Sequence, residues 1–128
     1  MIVLDASVLI GQLDAGDPHH AEAGALLAAT DAEPLGASTI TLAETLVAPA
    51  RAKRLDEAEA ALERLGVEEI HLGEDAPARL AELRAGTGRK LPDCCVLAAA
   101  QQHSASVASF DADLRKAARK LGLGVVGE

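Results

Sequence analysis

The chain opens MIVLDASVLI (residues 1–10), and this stretch decides the reading of the fold. Ile2, Val3 and Leu4 favour β-structure, and a short, wholly apolar run suits a strand buried on both faces. Asp5 ends that run, and Val8, Leu9 and Ile10 resume it. A carboxylate here has two readings. Asp5 or Ser7 caps a helix that starts at this point, or Asp5 stands where a parallel strand passes into a helix, the place where α/β proteins build their sites.

The same hand-over from strand to helix recurs along the chain. Residues 6–13 read as a short helix, followed by the turn-rich DAGDP (residues 14–18) and an Ala-rich helix over 19–29. Residues 34–37 read as a second strand. A helix begins at Ser38 or Thr39 and runs to about Ala52, with Pro49 as a candidate kink. An amphipathic helix over 55–65 closes at Gly66. A strand is expected over 67–72 and a helix over 76–85, with residues 86–90 as a loop. Residues 91–103 are almost wholly apolar, so this helix should be central. A strand over 107–109, a basic helix over 112–121 and a last strand over 124–126 complete the pattern. There is no internal repeat or linker. The alternation predicts one α/β domain over residues 1–128, with a mainly parallel sheet of about four to five strands and helices on both faces.

Composition narrows the function. Hydrophobic residues make up 49% of the 128-residue chain, which argues against disorder. No apolar run reaches the ~18 residues a membrane span needs, and the N-terminus lacks a basic leader, so a cytoplasmic protein is expected. Cys94 and Cys95 are adjacent, which suits neither zinc spacing nor a loop-closing disulfide; they read as small apolar residues. The formal net charge of −8 argues at first against a nucleic-acid partner. Yet all 12 Lys and Arg lie at or after Arg51. They cluster at Arg51, Lys53, Arg54; at Arg84, Arg89, Lys90; and at Arg115, Lys116, Arg119, Lys120. The ordinary reading of such clusters is a solvated helix face; the alternative is a rim that contacts phosphates. With one Phe and no Tyr or Trp, base stacking cannot dominate. An RNA partner would be read by shape and backbone.

Four carboxylates lie where strands pass into helices or near helix starts: Asp5, Glu44, Asp93 and Asp111. Taken singly, each has a structural explanation. Asp5 and Asp111 suit N-caps, Thr41-Leu42-Ala43-Glu44 matches a capping box, and Asp93 follows Pro92 as acids do in a first helical turn. Their shared context says more. In LDASVLI, ITLAETLV, LPDCCVLAAA and VASFDADL each acid is flanked by apolar residues, so partial burial is expected, and the alternating fold would bring all four to one edge of the sheet. Two unit charges ~4 Å apart repel by about 4 kcal/mol at an effective dielectric of 20. Such a group requires protonation or a cation. Hard oxygen ligands favour Mg²⁺ or Mn²⁺, ions suited to phosphoryl chemistry. His19, His20, His71 and His103 form no catalytic or zinc-binding pattern.

In order and context these segments resemble the PIN-domain family, most closely the VapC-type toxins of type II toxin–antitoxin pairs. VLDASVLI resembles the first motif, with Asp5 as its acid and Ser7 as a supporting hydroxyl. STITLAETL resembles the second, with Glu44. LPDCCVLAAAQQHSASVASFDADL resembles the third and fourth, with Asp93 and Asp111 as acids and Ser109 as the nearby hydroxyl. The family more often has Thr at the position of Ser109, and Asp113 competes with Asp111 for the fourth place; Asp111 ranks first. The resemblance implies an Mg²⁺- or Mn²⁺-dependent endoribonuclease that leaves a 5′-phosphate and a 3′-hydroxyl. It implies that Asp5, Glu44, Asp93 and Asp111 are catalytic and metal-binding. It also implies a homodimer and inhibition by a cognate antitoxin, whose segment would cross the acidic groove with an Arg among the carboxylates.

Three other readings compete. A receiver-type Mg²⁺-binding signalling domain would need an acidic pair near the first strand, an Asp after the third and a Lys after the fifth, and the chain shows none of these. A haloacid-dehalogenase-type phosphatase would need Asp where Ser7 stands. A PIN-like module that binds a partner without cleaving would share every motif.

Overall fold

A computed structural model describes residues 1–127. The elements in chain order are β1 (Ile2–Leu4), α1 (Ala6–Leu13), α2 (His20–Ala29), β2 (Leu35–Ser38), α3 (Thr39–Arg51), α4 (Leu55–Leu65), β3 (Val67–Ile70), α5 (Ala76–Thr87), α6 (Leu91–His103), β4 (Ser106–Ala108), α7 (Ala112–Lys120) and β5 (Val125–Val126). The strands form one five-stranded sheet in the order β3-β2-β1-β4-β5, with every pairing parallel. This order differs from the 2-1-3-4-5 of receiver-type domains, which removes that reading. The order reverses between β1 and β4, so a crevice is expected beyond the carboxyl ends of these two strands.

The three residues of β1 show why the opening run is apolar throughout. Ile2 and Leu4 point into one helical layer with Val8, Leu9, Leu26 and Leu27, while Val3 points into the other with α6, Val107 and Leu114. Side chains alternate along a strand, so a central strand covered on both sides needs an apolar residue at every position. Ile2, Val3 and Leu4 are each fully buried. Helix α6 is buried without interruption from Asp93 to Ala100, as its composition predicts, and it packs against β1, β2 and β4. Its Cys and Ala residues are small enough for close approach to the sheet. The two thiols are buried and free.

Several boundaries move. β3 stops at Ile70, and β4 occupies 106–108, which leaves Ser109 just past the strand end. Helix α5 continues through Gly86 to Thr87 and terminates at Gly88 in the left-handed conformation (φ 71°), so the expected loop shrinks. Gly66 closes α4 with φ 75°, as its position foretold. Pro49 does not end α3, which runs on to Arg51. Pro49 lacks the N–H that would return to Thr45, and the helix regains its bonding beyond it, with Ala52 N–H donating to the Ala48 carbonyl and Arg54 N–H to that of Pro49.

Leu97 lies in the middle of α6 and is fully buried between helix and sheet. Leu97→Ala should lower the unfolding free energy by about 2–5 kcal/mol through lost burial and a residual cavity. Urea denaturation followed by circular dichroism checks this; a loss below about 1 kcal/mol would contradict the central placement of α6.

Candidate functional site

The site begins with Asp5. Its backbone N–H donates to the Ala108 carbonyl at 2.9 Å, which continues the β1–β4 ladder one step past β1. Its carboxylate stands at the N-cap position of α1 but makes no cap hydrogen bond. Instead Oδ2 accepts from Ser7 Oγ at 2.8 Å and from Ser109 Oγ at 2.7 Å. Each hydroxyl in turn accepts a backbone N–H, Ser7 from Phe110 at 3.1 Å and Ser109 from Asp111 at 3.0 Å. These amides orient both hydroxyl protons toward Asp5. Asp5 is 8% exposed and Ser109 1% exposed; no donor among the described residues reaches Asp5 Oδ1. The capping explanation of Asp5 therefore fails, and the pairing with Ser7 and Ser109 takes its place.

Glu44 also escapes its structural explanation. The N-cap of α3 is Ser38, whose Oγ accepts from Thr41 N–H at 3.2 Å and meets Thr41 Oγ1 at 3.0 Å. The cap therefore belongs to the Ser38–Thr41 pair, and Glu44 lies in the second turn instead of closing a capping box. It is exposed, not partly buried as its apolar neighbours suggested. Its carboxyl pKa is nonetheless raised. Desolvation contributes most, followed by the negative charge of Asp5; Asp93 adds to the rise, and Lys90 opposes it. Glu44 thus shares a field with both other acids.

Asp93, 6% exposed, sits in the first turn of α6, where Pro92 helps fix the helix start. Its Oδ2 accepts from Arg89 Nε at 3.1 Å and from an Arg89 terminal nitrogen at 2.7 Å. The same terminal nitrogen reaches Asp111 Oδ2 at 3.4 Å, and the other lies 3.8 Å from Asp113 Oδ2. The guanidinium pKa is raised, chiefly by the bond to Asp93. Asp111 does cap its helix, with Oδ1 accepting from Asp113 N–H at 2.9 Å and Leu114 N–H at 3.2 Å. It therefore carries both the structural role and a place at the site. Its link to Ser109 and its closer approach to Arg89 set it ahead of the more exposed Asp113.

Sequence reasoning missed Arg89, which it grouped with basic residues on solvated faces. The available signal was GRKLPD, an Arg after a glycine and four residues before a first-turn acid. The histidines are structural where their partners are seen: His19 stacks on Phe110 with ring centroids 4.6 Å apart, and His20 Nδ1 lies 2.8 Å from the Gly11 carbonyl.

The donor chemistry of Asp5, Glu44, Asp93 and Asp111 suits a hard divalent cation: all are carboxylates, and the charges of Asp5 and Asp93 add to the desolvation that raises Glu44. As placed, no three His, Cys, Asp or Glu side chains among the described residues are grouped closely enough to hold an ion. The acid nearest Glu44 on α6 is engaged by Arg89 instead.

Comparison with known proteins places this arrangement. The PIN domain family model matches residues 2–120, and the chain belongs to that family. No curated protein sequence matches. Among solved structures, a toxin–antitoxin complex from Klebsiella pneumoniae is 26% identical with a TM-score of 0.76, covering 99% of this chain and 97% of that one. VapC20 of Mycobacterium tuberculosis, described as a sarcin–ricin loop cleaving toxin, is 26% identical with a TM-score of 0.74, covering 91% and 95%. FitAcB of Neisseria gonorrhoeae is 26% identical with a TM-score of 0.71, covering 99% and 97%.

The raised pKa of Glu44 gives a stability signature. The folded state holds this proton more tightly than the unfolded chain, so the residue's contribution to stability falls as pH rises through the folded pKa and stays unfavourable above it. In chelator, Glu44→Gln should melt higher than the parent at pH 7, and the difference should vanish below the ordinary value of 4.5. Calorimetry across that range checks it; a lower melting temperature for Glu44→Gln at pH 7 would contradict the shared field.

Proposed function

We propose that the protein is a divalent-metal-dependent endoribonuclease and the toxin of a type II toxin–antitoxin pair. The observation that carries this reading is the setting of Asp5. A buried carboxylate is oriented by two hydroxyls at the reversal point of a PIN-domain sheet, and its charge, with that of Asp93, acts on Glu44. Asp5, Glu44 and Asp93 would hold Mg²⁺ or Mn²⁺, with Asp111 assisting. Such an ion supplies acidity to water and offsets charge on a phosphoryl group. The chain's own part is to fix the donors. Ser7 and Ser109 occupy Asp5 Oδ2 and aim Oδ1 outward, the work that outer partners of metal ligands perform.

RNA is the proposed substrate because the basic residues flank the acids. A groove of about 590 Å³ beside Arg89 is lined in part by Arg79, Thr87, Asp113, Lys116 and Lys120. Exposed Lys116 and Lys120 supply charges for a phosphate backbone without any need for base stacking. That one structural relative is a toxin–antitoxin complex and another a toxin supports an antitoxin partner, and exposed Ile40 and Val47 on α3 are available for a homodimer or that partner. None of the described helices is long and apolar enough to cross a membrane, and a cytoplasmic site of action fits this reading.

Cleavage of a panel of structured RNAs in Mn²⁺ tests the proposal. Asp5→Asn and Asp93→Asn should each lose at least about a hundredfold in rate, more than the 10- to 100-fold expected when Ser109→Ala removes an outer partner. Asp5→Asn keeps side-chain size, and its melting temperature in chelator should match or exceed the parent's. Full cleavage by Asp5→Asn would overturn the assignment, and no cleavage by the parent on any RNA would favour a PIN module that binds without cutting.

Lys116→Glu and Lys120→Glu should weaken RNA binding and flatten its dependence on salt, by about one unit of slope per lost phosphate contact. Fluorescence anisotropy in chelator, over a series of salt concentrations, reads both quantities. Unchanged affinity would remove the groove from the RNA path.

A further inference from the structure

The feature left over by this reading is Arg89. Ser7 and Ser109 hold Asp5 through neutral hydroxyls, whereas Asp93 Oδ2 takes two hydrogen bonds from a positively charged guanidinium, and the same group touches Asp111 and approaches Asp113. The guanidinium is held by a loop of the same chain, between the left-handed Gly88 and the N-cap Lys90 of α6. The loop is pinned further, with Arg89 N–H donating to Thr87 Oγ1 at 3.1 Å and the Arg89 carbonyl accepting from Cys94 Sγ at 3.4 Å. The contact is thus part of the fold, and it uses the α6 acid whose charge acts on Glu44.

We propose that Arg89 is a built-in counter-cation of the acidic site, one that competes with a divalent ion for the Asp93 carboxylate. The proposal rests on the metal-site reading and adds to it a regulation internal to the chain. Arg89 fills Asp93 Oδ2 and sets a positive charge beside Oδ1, to which no donor among the described residues is bonded, so the guanidinium and an incoming divalent ion compete for this carboxylate. The absence of three grouped donors among the described residues agrees with this, because the acids are arranged around an arginine. Displacement has somewhere to lead. Arg89 is only partly buried and lines the head of the groove that holds Lys116 and Lys120, so its side chain can swing from carboxylate to solvent or to a phosphate without disturbing the core. The site is therefore set to a lower metal affinity than its acids alone would give. It also keeps Asp93 neutralised when no ion is present.

Calorimetric titration of the whole chain with Mn²⁺, without RNA, tests the competition. Arg89→Gln should tighten Mn²⁺ binding by about ten- to hundredfold, the equivalent of one charge-assisted hydrogen bond, with Arg89→Lys between the two. In chelator Arg89→Gln should melt lower than the parent, since Asp93 loses its partner, and saturating Mn²⁺ should narrow or remove that difference. An ion pair with only a structural role would lower stability without any gain in metal affinity. A second titration in the Asp93→Asn background should show no gain from Arg89→Gln. If the parent binds Mn²⁺ and Arg89→Gln binds it equally or more weakly, the counter-cation role is wrong and the metal site stands. If neither chain binds Mn²⁺ at millimolar concentration, the metal-site reading falls and takes this proposal with it.

Discussion

Everything at the acidic edge depends on the two hydroxyls that hold the Asp5 carboxylate. A buried anion without donors would be expelled or protonated. Here Ser7 comes from α1 and Ser109 from the end of β4, and each is fixed by an amide of the segment that joins β4 to α7. The same few atoms therefore hold the charge, orient the carboxylate and fasten β1 to the segment after β4. Loss of either hydroxyl leaves a buried oxygen short of one donor and a backbone N–H without its acceptor. Strand order supplies the rest of the geometry. β1 and β4 are neighbours at the point where the sheet reverses, which is where parallel sheets take their ligands.

A second constraint is charge. The site gathers acids from four parts of the chain, and the structure balances them with cations held nearby. Lys90 moderates Glu44, while Arg89 neutralises Asp93 and reaches Asp111. The basic residues at α5 and α7 then form a flank of opposite sign. The overall charge of −8 thus conceals a local division, acids at the strand ends and cations along one side. Such a division accommodates the proposed RNA substrate, since net charge alone does not decide what a surface attracts.

Much of this was legible in the sequence, and the reasons are specific. The all-apolar β1 could only be a doubly covered strand, and the continuous apolar run of α6 could only be a central helix, so the layered parallel architecture followed. Asp5, Asp93 and Asp111 stand out as candidates because each lies at a strand end or a helix start, positions that sequence marks well; Ser7 and Ser109 come from the family resemblance, and the structure sets both hydroxyls on Asp5. Two things read differently in the structure. The sequence offers Ser38 as one of two starts for α3, but it pairs Thr41 with Glu44 as a capping box when the partner of Thr41 is Ser38. Arg89 groups in sequence with other basic residues although Asp93 lies four positions on, and its further partners Asp111 and Asp113 are distant in sequence.

The parallel pairing of β1 with β4 has a consequence for how the molecule comes into being. Ile2 lies beside Ser106 and Leu4 beside Ala108, so the innermost seam of the sheet joins residues synthesised early to residues synthesised much later. Contacts of such long sequence separation close late, because the intervening chain must be brought together first. During synthesis Asp5 emerges with only Ser7 available to it, and neither Ser109 nor Asp111 exists to complete its surroundings. The acidic edge is consequently a property of the finished chain alone. An interrupted or truncated product carries the opening motif yet lacks the site, and an apolar first strand left without its β4 partner is a target for aggregation and proteolysis.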